Sequence, residues 1–433
     1  MITTEELYEH FLKNPIISTD TRNILPGCIF FALKGDHFNA NEFAAQAIEK
    51  GASFAVIDEE THAVNDRCLL VNDVLITLQD LARHHRKQLN IPVIGLTGSN
   101  GKTTSKELVN AVLKERYKTF ATFGNLNNHI GVPLSILSIT SDVQIAVIEM
   151  GANHQKEIEL LCTIAQPTHG IITNVGMAHL DGFGGFDGVK KGKAELYTYL
   201  KETRGYTFIN RNNPYLLEMS AAAGLNKLIY YGTENGNSIK GTLKSSDPFI
   251  EVEWTNHDIS SFVKTNLTGS YNFENILAAI CIGDFFDIAP EEINNGLSNY
   301  QPKNNRSQLT KTENNTVICD FYNANPSSMA AALNNISTLT ADQKTAILGD
   351  MFELGPESPL QHKLIVKQAT ESSLNQIIFI GKYFYAFKDE FNGIFFEAPA
   401  EAAAYLQKKQ IKNNLILLKG SRGMKLEGLL QYL

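Results

Sequence analysis

The 433-residue sequence contains no uninterrupted apolar run of about 18 residues, the length a helix needs to cross a membrane. Stretches such as 276–283 meet charge first. Its N-terminus, MITTEELYEHFLKN, mixes Glu, His and Lys among apolar residues, so the apolar core of a secretory signal is lacking and nothing there marks the chain for export. Cysteine is sparse: Cys28, Cys68, Cys162, Cys281 and Cys319 are odd in number, scattered and without a CxxC pair. That usage excludes a disulfide scaffold and is expected of reduced, core-packed thiols in a cytoplasmic chain. A basic surplus is absent too. The net charge of −8 argues against general binding to nucleic acid or an anionic membrane, while leaving room for a local basic pocket.

What is present is an ordinary globular mix, 43% hydrophobic and 19% charged. The length sets an expectation of about three domains. Short apolar runs alternate with helix-like segments, the pattern of parallel sheets covered by helices, so the class is α/β. Residues 92–96, 145–150 and 170–175 are continuously apolar and predict buried parallel strands. After Pro302 the pattern restarts, with strands expected at 316–320, 345–348, 377–380 and 415–418. The polar run QPKNNR at 301–306 reads as a linker, and the helix-like LQDLARHHRKQL ends a first unit at about residue 88. Three domains follow: 1–88, 89–302 with a parallel sheet, and a Rossmann-like 303–433. Residues 235–258, polar and turn-rich, predict β hairpins inside the middle domain.

One segment carries chemistry by itself. IPVIGLTGSNGKTTSKELVNAVL sets an apolar strand before a glycine-bearing loop and a helix after it. Gly98, Ser99, Asn100 and Gly101 let backbone N–H groups turn inward around phosphate oxygens; Lys102 adds a full charge, Thr103 offers magnesium a hydroxyl, and Thr104 continues the helix start. The standard GxxxxGK[ST] pattern asks for glycine at position 96, where Leu96 stands, so the loop is a variant. Glu149 and His179 fall just beyond expected strand ends, where ligands bind in such sheets, and are candidates to hold magnesium. GFGGFDG at 182–188 imitates a dinucleotide fingerprint, but Asp187 occupies a required glycine position and no strand–turn–helix context supports it; it reads as a mobile loop.

Taken together, TDTR (19–22), LTGSNGKTT (96–104), GNLNNHIGVPL (124–134), EMGAN (149–153), ITNVGMAHLDGFG (172–184), GSYNFENILAA (269–279), DFYNANPSSM (320–329), GDMFELG (349–355) and KGSR (419–422) resemble the Mur ligases, the amide-forming enzymes of peptidoglycan synthesis. The likeness spans nearly the whole chain, and the late motifs look like the branch that adds D-alanyl-D-alanine to UDP-N-acetylmuramoyl-tripeptide. The DNPR-like signature of the branch adding the third amino acid is missing. The resemblance implies ATP and two magnesium ions as cofactors, these two small molecules as substrates, and a monomer.

It also implies roles. Lys102 and Thr103 would serve ATP phosphates and the first magnesium, with Glu149 and His179 at the metal sites. Lys193, in KGKAEL, matches the family's carbamylated lysine, although the residue alone reads as a solvated helical lysine. Asn272 and Asn275 look like nucleotide-side asparagines. Arg306 matches an arginine reaching the phosphates, with Asn305 where the family has glycine. Asp320, Asn323 and Asn325 would meet ribose and adenine. Thr19, Asp20, Thr21 and Arg22 match the segment holding the UDP end of the substrate, Asn127 and Asn128 would contact the muramoyl-peptide, and Lys419, Ser421 and Arg422 would hold a peptide carboxylate. Loops bearing Lys102, Glu149 and His179 on one side and Asp320, Asp350 and Arg422 on the other are expected to face each other across a cleft that closes on ATP.

Overall fold

The structure, a computed structural model, describes residues 1–256, 259–303 and 305–433. His257 and Asp258, at the end of the expected hairpin region, and Asn304 of the expected linker lie outside the described residues.

Three main sheets follow one another along the chain. The first is parallel, with strands Ile17–Ser18, Ile29–Phe31, Phe54–Ile57 and Cys68–Leu70 in that spatial order. Among the described residues the central sheet has nine strands. Its middle is Val93–Thr97, flanked by Ile145–Glu149 and His169–Ile172, all three buried along their whole length. Continuous apolar runs of this kind belong inside a parallel sheet covered on both faces. Register then decides where the loops emerge: Leu96 lies opposite Glu149, and Thr97 opposite Ile172. The three strands stop together, so their following loops leave the sheet side by side.

The expected hairpin region forms strands Ile239–Ser245 and Glu251–Asn256, paired antiparallel and extended by Ile259–Lys264. The last sheet has six strands among the described residues, parallel except for the edge strand Gln308–Lys311. Thr316–Asp320, Leu415–Lys419 and Lys344–Gly349 are adjacent at its centre. The GFGGFDG stretch departs from its reading as a loop. Helix Leu180–Phe183 ends there, Gly184 and Gly185 turn the chain with φ of 73° and 100°, and helix Phe186–Thr203 begins. Glycine adopts that left-handed backbone without a Cβ clash.

Packing joins these units unequally. Helix Val74–Gln88 is capped by Asp73, whose carboxylate accepts the N–H of Ile76 at 2.8 Å, and its last turn carries His85, Arg86 and Lys87, which suit the negative helix end. Its buried Leu78, Leu81 and Ala82 share one apolar cluster with Leu7 and Phe11 of the first unit and with Ile136 and Leu161 of the central one. By contrast, among the described residues, the clusters of the last unit contain none preceding Leu309. The first two units are therefore fused by a common core, whereas the third has a core of its own.

Leu78 is fully buried in the shared core. Leu78→Ala is expected to cost about 2–5 kcal/mol and, in calorimetry, to lower the melting of the first and central units together while the transition of the last unit stays in place.

Candidate active site

The phosphate loop is built by its flanks. Strand Val93–Thr97 delivers the chain to Gly98, and helix Lys102–Leu113 takes over after Gly101. Gly101 has φ of 75°, and a Cβ there would lie 2.7 Å from Asn275 Oδ1, so both conformation and space require glycine. Thr173 Oγ1 donates to Asn100 O at 2.6 Å and the Asn100 N–H donates to Asn174 Oδ1 at 2.9 Å, fixing the loop to the neighbouring strand end. Lys102 Nζ folds back on the carbonyls of Gly98 and Ser99 at 2.8 and 3.2 Å. Burial pulls its pKa down to about 8, and the charge of Arg306 pulls the same way, while Glu149 opposes both.

Beside the loop stands Glu149. Its Oε1 accepts the Asn127 amide at 2.7 Å, and its Oε2 is buried with no hydrogen-bond partner. A bare carboxylate oxygen in such a place costs about 1–3 kcal/mol or more, a penalty that a cation removes. Thr103, the second residue of the loop helix, is buried and lines an adjoining cavity. Among the described residues no three His, Cys, Asp or Glu side chains converge as a metal cluster. Magnesium needs none, since it binds through one or two protein ligands and fills its octahedron with water and phosphate oxygens. The residues present thus fit that ion.

His179 has φ of 53° and bonds through Nδ1 to the carboxylate of Glu353, which reaches across from the last unit. Lys193 is not the solvated lysine that its helical position suggested: it is 1% exposed. Its Nζ donates to Ala152 O at 3.3 Å and sits 5.1 Å from the Phe183 ring centroid. Burial first, and the charge of Lys102 second, hold its pKa well below that of an ordinary lysine.

The remaining walls come from two further segments. Ser105 Oγ donates to Asn275 Oδ1 at 3.0 Å, Asn275 Nδ2 to Asn272 Oδ1 at 2.9 Å and Asn272 Nδ2 to Thr268 O at 2.9 Å, a relay tying helix Phe273–Phe285 to the loop helix. From the last unit, Asn325 caps helix Pro326–Thr338 and donates from Nδ2 to Asn100 Oδ1 at 2.8 Å, while Asn100 Nδ2 donates to Ser327 Oγ at 2.9 Å. The phosphate loop is thereby held by the third unit. Arg306 stacks 3.9 Å over the Tyr322 ring, and Arg422 lies 5.2 Å from the same ring. Asn305 adopts φ of 50°, a left-handed backbone that asparagine shares with glycine, so the segment before Arg306 takes a glycine-like course.

A cleft of about 1100 Å³ gathers Ser99, Asn100, Gly101, Lys102 and Thr104, with Asn127, Asn128, Glu149 and His179, with Asn272, Asn275 and Arg306, and with Asp320, Asn323, Asn325, Lys419, Ser421 and Arg422. Gly98 lies beneath Lys102, and Thr103 lines a smaller adjoining cavity with Arg306. Other expected residues stand elsewhere. Thr19, Asp20, Thr21 and Arg22 are outside this cleft, where Arg22 forks onto Asp20 at 2.8–3.1 Å and holds its carboxyl down at about 2. Asp350 turns inward, accepting the N–H groups of Tyr383 and Phe384 at 3.0 Å, because it caps a short helix rather than facing the cleft. Lys419 is 2% exposed and spent on Asp320, with Nζ 2.6 Å from Oδ2. Sequence reasoning passed over Tyr271, Tyr322 and Glu353, all in the cleft wall. All three lay inside quoted motifs, GSYNFENILAA, DFYNANPSSM and GDMFELG, which was the available signal.

A phosphate loop in a parallel sheet, a carboxylate and a histidine at the neighbouring strand ends, and a separate α/β unit closing the cleft define a three-domain P-loop nucleotide enzyme. Residues 96–283 match the Mur ligase middle domain and residues 305–422 the Mur ligase, glutamate ligase domain. A UDP-N-acetylmuramoyl-tripeptide--D-alanyl-D-alanine ligase of Bacillus subtilis is 36% identical over 428 residues, covering 95% of this chain and 91% of that protein. The crystal structure of MurF from Acinetobacter baumannii superposes with a TM-score of 0.88 at 32% identity, covering 96% of this chain and 92% of that one. MurF ligase from Thermotoga maritima in complex with ADP gives a TM-score of 0.86 at 26% identity, covering 97% of both chains. The chain belongs to the Mur ligase family.

Lys102 is neutral in the free site above about pH 8, and a bound polyphosphate raises its pKa again by direct charge attraction. Binding of ADP is therefore expected to take up a proton at about pH 9 and none from this group at about pH 7. Calorimetry in buffers of different ionisation enthalpy reads that difference, and Lys102→Met should abolish it.

Proposed function

We propose that this chain is an ATP-dependent ligase that joins D-alanyl-D-alanine to UDP-N-acetylmuramoyl-tripeptide in peptidoglycan precursor synthesis. The observation carrying this reading is the contact of phosphate-loop Asn100 with Asn325 and Ser327 of the YNANPSS segment, which puts the phosphate-gripping loop and the branch-specific motif in one cleft. The names of the relatives agree with it. Residues 1–88 would bind the UDP end through Thr19, Asp20, Thr21 and Arg22, residues 89–302 ATP, and residues 303–433 the nucleoside and the acceptor. A cytoplasmic monomer belongs to the same proposal.

The reaction has two displacements. A terminal carboxylate oxygen of the tripeptide attacks the γ-phosphorus of ATP; the bond to the bridging oxygen breaks, leaving an acyl phosphate and ADP. The acceptor nitrogen then attacks the acyl carbon, the bond to phosphate breaks, and the amine proton is released. The first step crowds negative charge, so positive groups must already be in place. Lys102 and Arg306 supply two of them, and the backbone of Gly98 to Gly101 and the N-terminus of helix Lys102–Leu113 add oriented N–H groups. Two bound magnesium ions would shield the phosphates and the attacking carboxylate, held by Thr103, Glu149, His179 and a carbamylated Lys193. Asn127 fixes the Glu149 carboxylate from the side. Asn272 and Asn275 keep the loop helix in register, and Asp320, Asn323 and Asn325 face the nucleoside. Asn128, Ser421 and Arg422 line the stretch where the peptide substrates meet.

The buried amine of Lys193 favours its neutral form, and a neutral amine is what carbon dioxide adds to. In ¹³C-bicarbonate, the protein is expected to show one carbamate carbonyl resonance that Lys193→Met lacks; a spectrum without it removes the carbamate. The ligase reading is tested by phosphate release with ATP, UDP-N-acetylmuramoyl-tripeptide and D-alanyl-D-alanine, each omitted in turn. Release should require all three, and release independent of the last two would reject it.

A further inference from the structure

The acceptor in the proposed reaction is a zwitterion, and a site for it needs an anionic partner for its ammonium as well as a cationic one for its carboxylate. Arg422 offers the cation. Five acidic side chains line the cleft among the described residues: Glu149, Glu157, Glu274, Asp320 and Glu353. Four are already committed or withdrawn. Glu149 is 1% exposed and fixed by Asn127. Glu157 accepts the N–H groups of Asn153 and His154 at 2.6 and 2.9 Å, and Asp320 pairs with Lys419. Glu274 is partly buried, and that burial raises its carboxyl pKa.

Glu353 differs in its exposure and in its partner: its side chain is 56% exposed, and it bonds to His179 of the central unit. It holds φ of 62°, a left-handed conformation that is strained for a non-glycine residue and that clusters at functional sites. The loop that carries it is pinned to the KGSR loop: the Ser421 N–H donates to Asp350 O at 3.1 Å, and the Phe352 N–H donates to Ser421 Oγ at 3.0 Å. Glu353 and Arg422 thus ride on two loops locked together, offering opposite charges to the same cleft. The contact with His179 sets the anionic end at the seam with the central sheet, the side on which the acyl group is activated.

We infer that Glu353 is the acceptor-recognition residue of this enzyme, its carboxylate receiving the ammonium of the dipeptide while Arg422 takes the carboxylate end. The inference deepens the ligase reading and rests on it. An acceptor with no ammonium has no use for Glu353, and hydroxylamine, largely neutral at neutral pH, is such an acceptor.

The test compares the intact wild-type enzyme with Glu353→Gln, supplying ATP, UDP-N-acetylmuramoyl-tripeptide and either D-alanyl-D-alanine or hydroxylamine, and measuring dipeptide adduct and hydroxamate. Loss of a charge-assisted contact is expected to raise the KM for the dipeptide on the order of 10- to 100-fold, with the dipeptide-to-hydroxylamine selectivity falling by the same factor. Equal loss of both products would place Glu353 in acyl-phosphate formation and overturn the inference, as would a raised magnesium requirement with an unaltered dipeptide KM, which would make it a prop for His179. Glu353→Asp, which keeps the charge, should recover part of the selectivity. Wild-type enzyme giving no dipeptide adduct would instead overturn the ligase reading, and this inference with it.

Discussion

Everything in the cleft depends on the register of three parallel strands. Because Leu96 lies opposite Glu149 and Thr97 opposite Ile172, the phosphate loop, the Glu149 carboxylate and the loop leading to His179 leave the sheet at one level. Side chains alternate faces along a strand, so a slip of one residue would turn Glu149 to the other face and break its pairing with Asn127. Alternate residues of these apolar strands fill two different cores, so a slip would force each side chain into a space packed for another, and this defends the register. Hydrophobic burial is thus what fixes the electrostatics of the site.

The second organising contrast is between seams. The first and central units share one apolar cluster through Leu78, Leu81 and Ala82, and such a core does not slide. The third unit touches the centre through Asn100 with Asn325 and Ser327, and through His179 with Glu353. Polar contacts exchange for water at little net cost, so they close and open more readily than a core does. The part bearing the late motifs is thus the part joined to the rest by polar contacts, which also include Tyr271 with Ser307 and Asp247 with Thr340.

The sequence displayed much of this. Continuous apolar runs announced the buried strands, and the composition of the phosphate loop announced its ligand, because both depend on local chemistry. What stayed hidden depended on distant neighbours. Lys193 sits on an ordinary helical stretch, and only the packing of Phe183 and the Ala152 loop around it makes it a buried amine. Asp350 and Lys419 looked available because nothing local shows that one caps a short helix and the other is paired with Asp320. Glu353 was passed over for the opposite reason: an exposed acid after a strand is commonplace until His179 is found beside it. GFGGFDG misled because glycine marks a helix break as readily as a loop.

The shared core around helix Val74–Gln88 also bears on how such an enzyme changes over time. One face of that helix packs the first unit and another the central unit, so replacing the first unit means recutting an interior on both sides. The third unit carries its own interior and meets the rest through a few polar side chains. It can be exchanged, or its loops rewritten, with little repacking elsewhere. Change in the third unit therefore disturbs the rest of the molecule least, while the first unit can change only together with the central sheet.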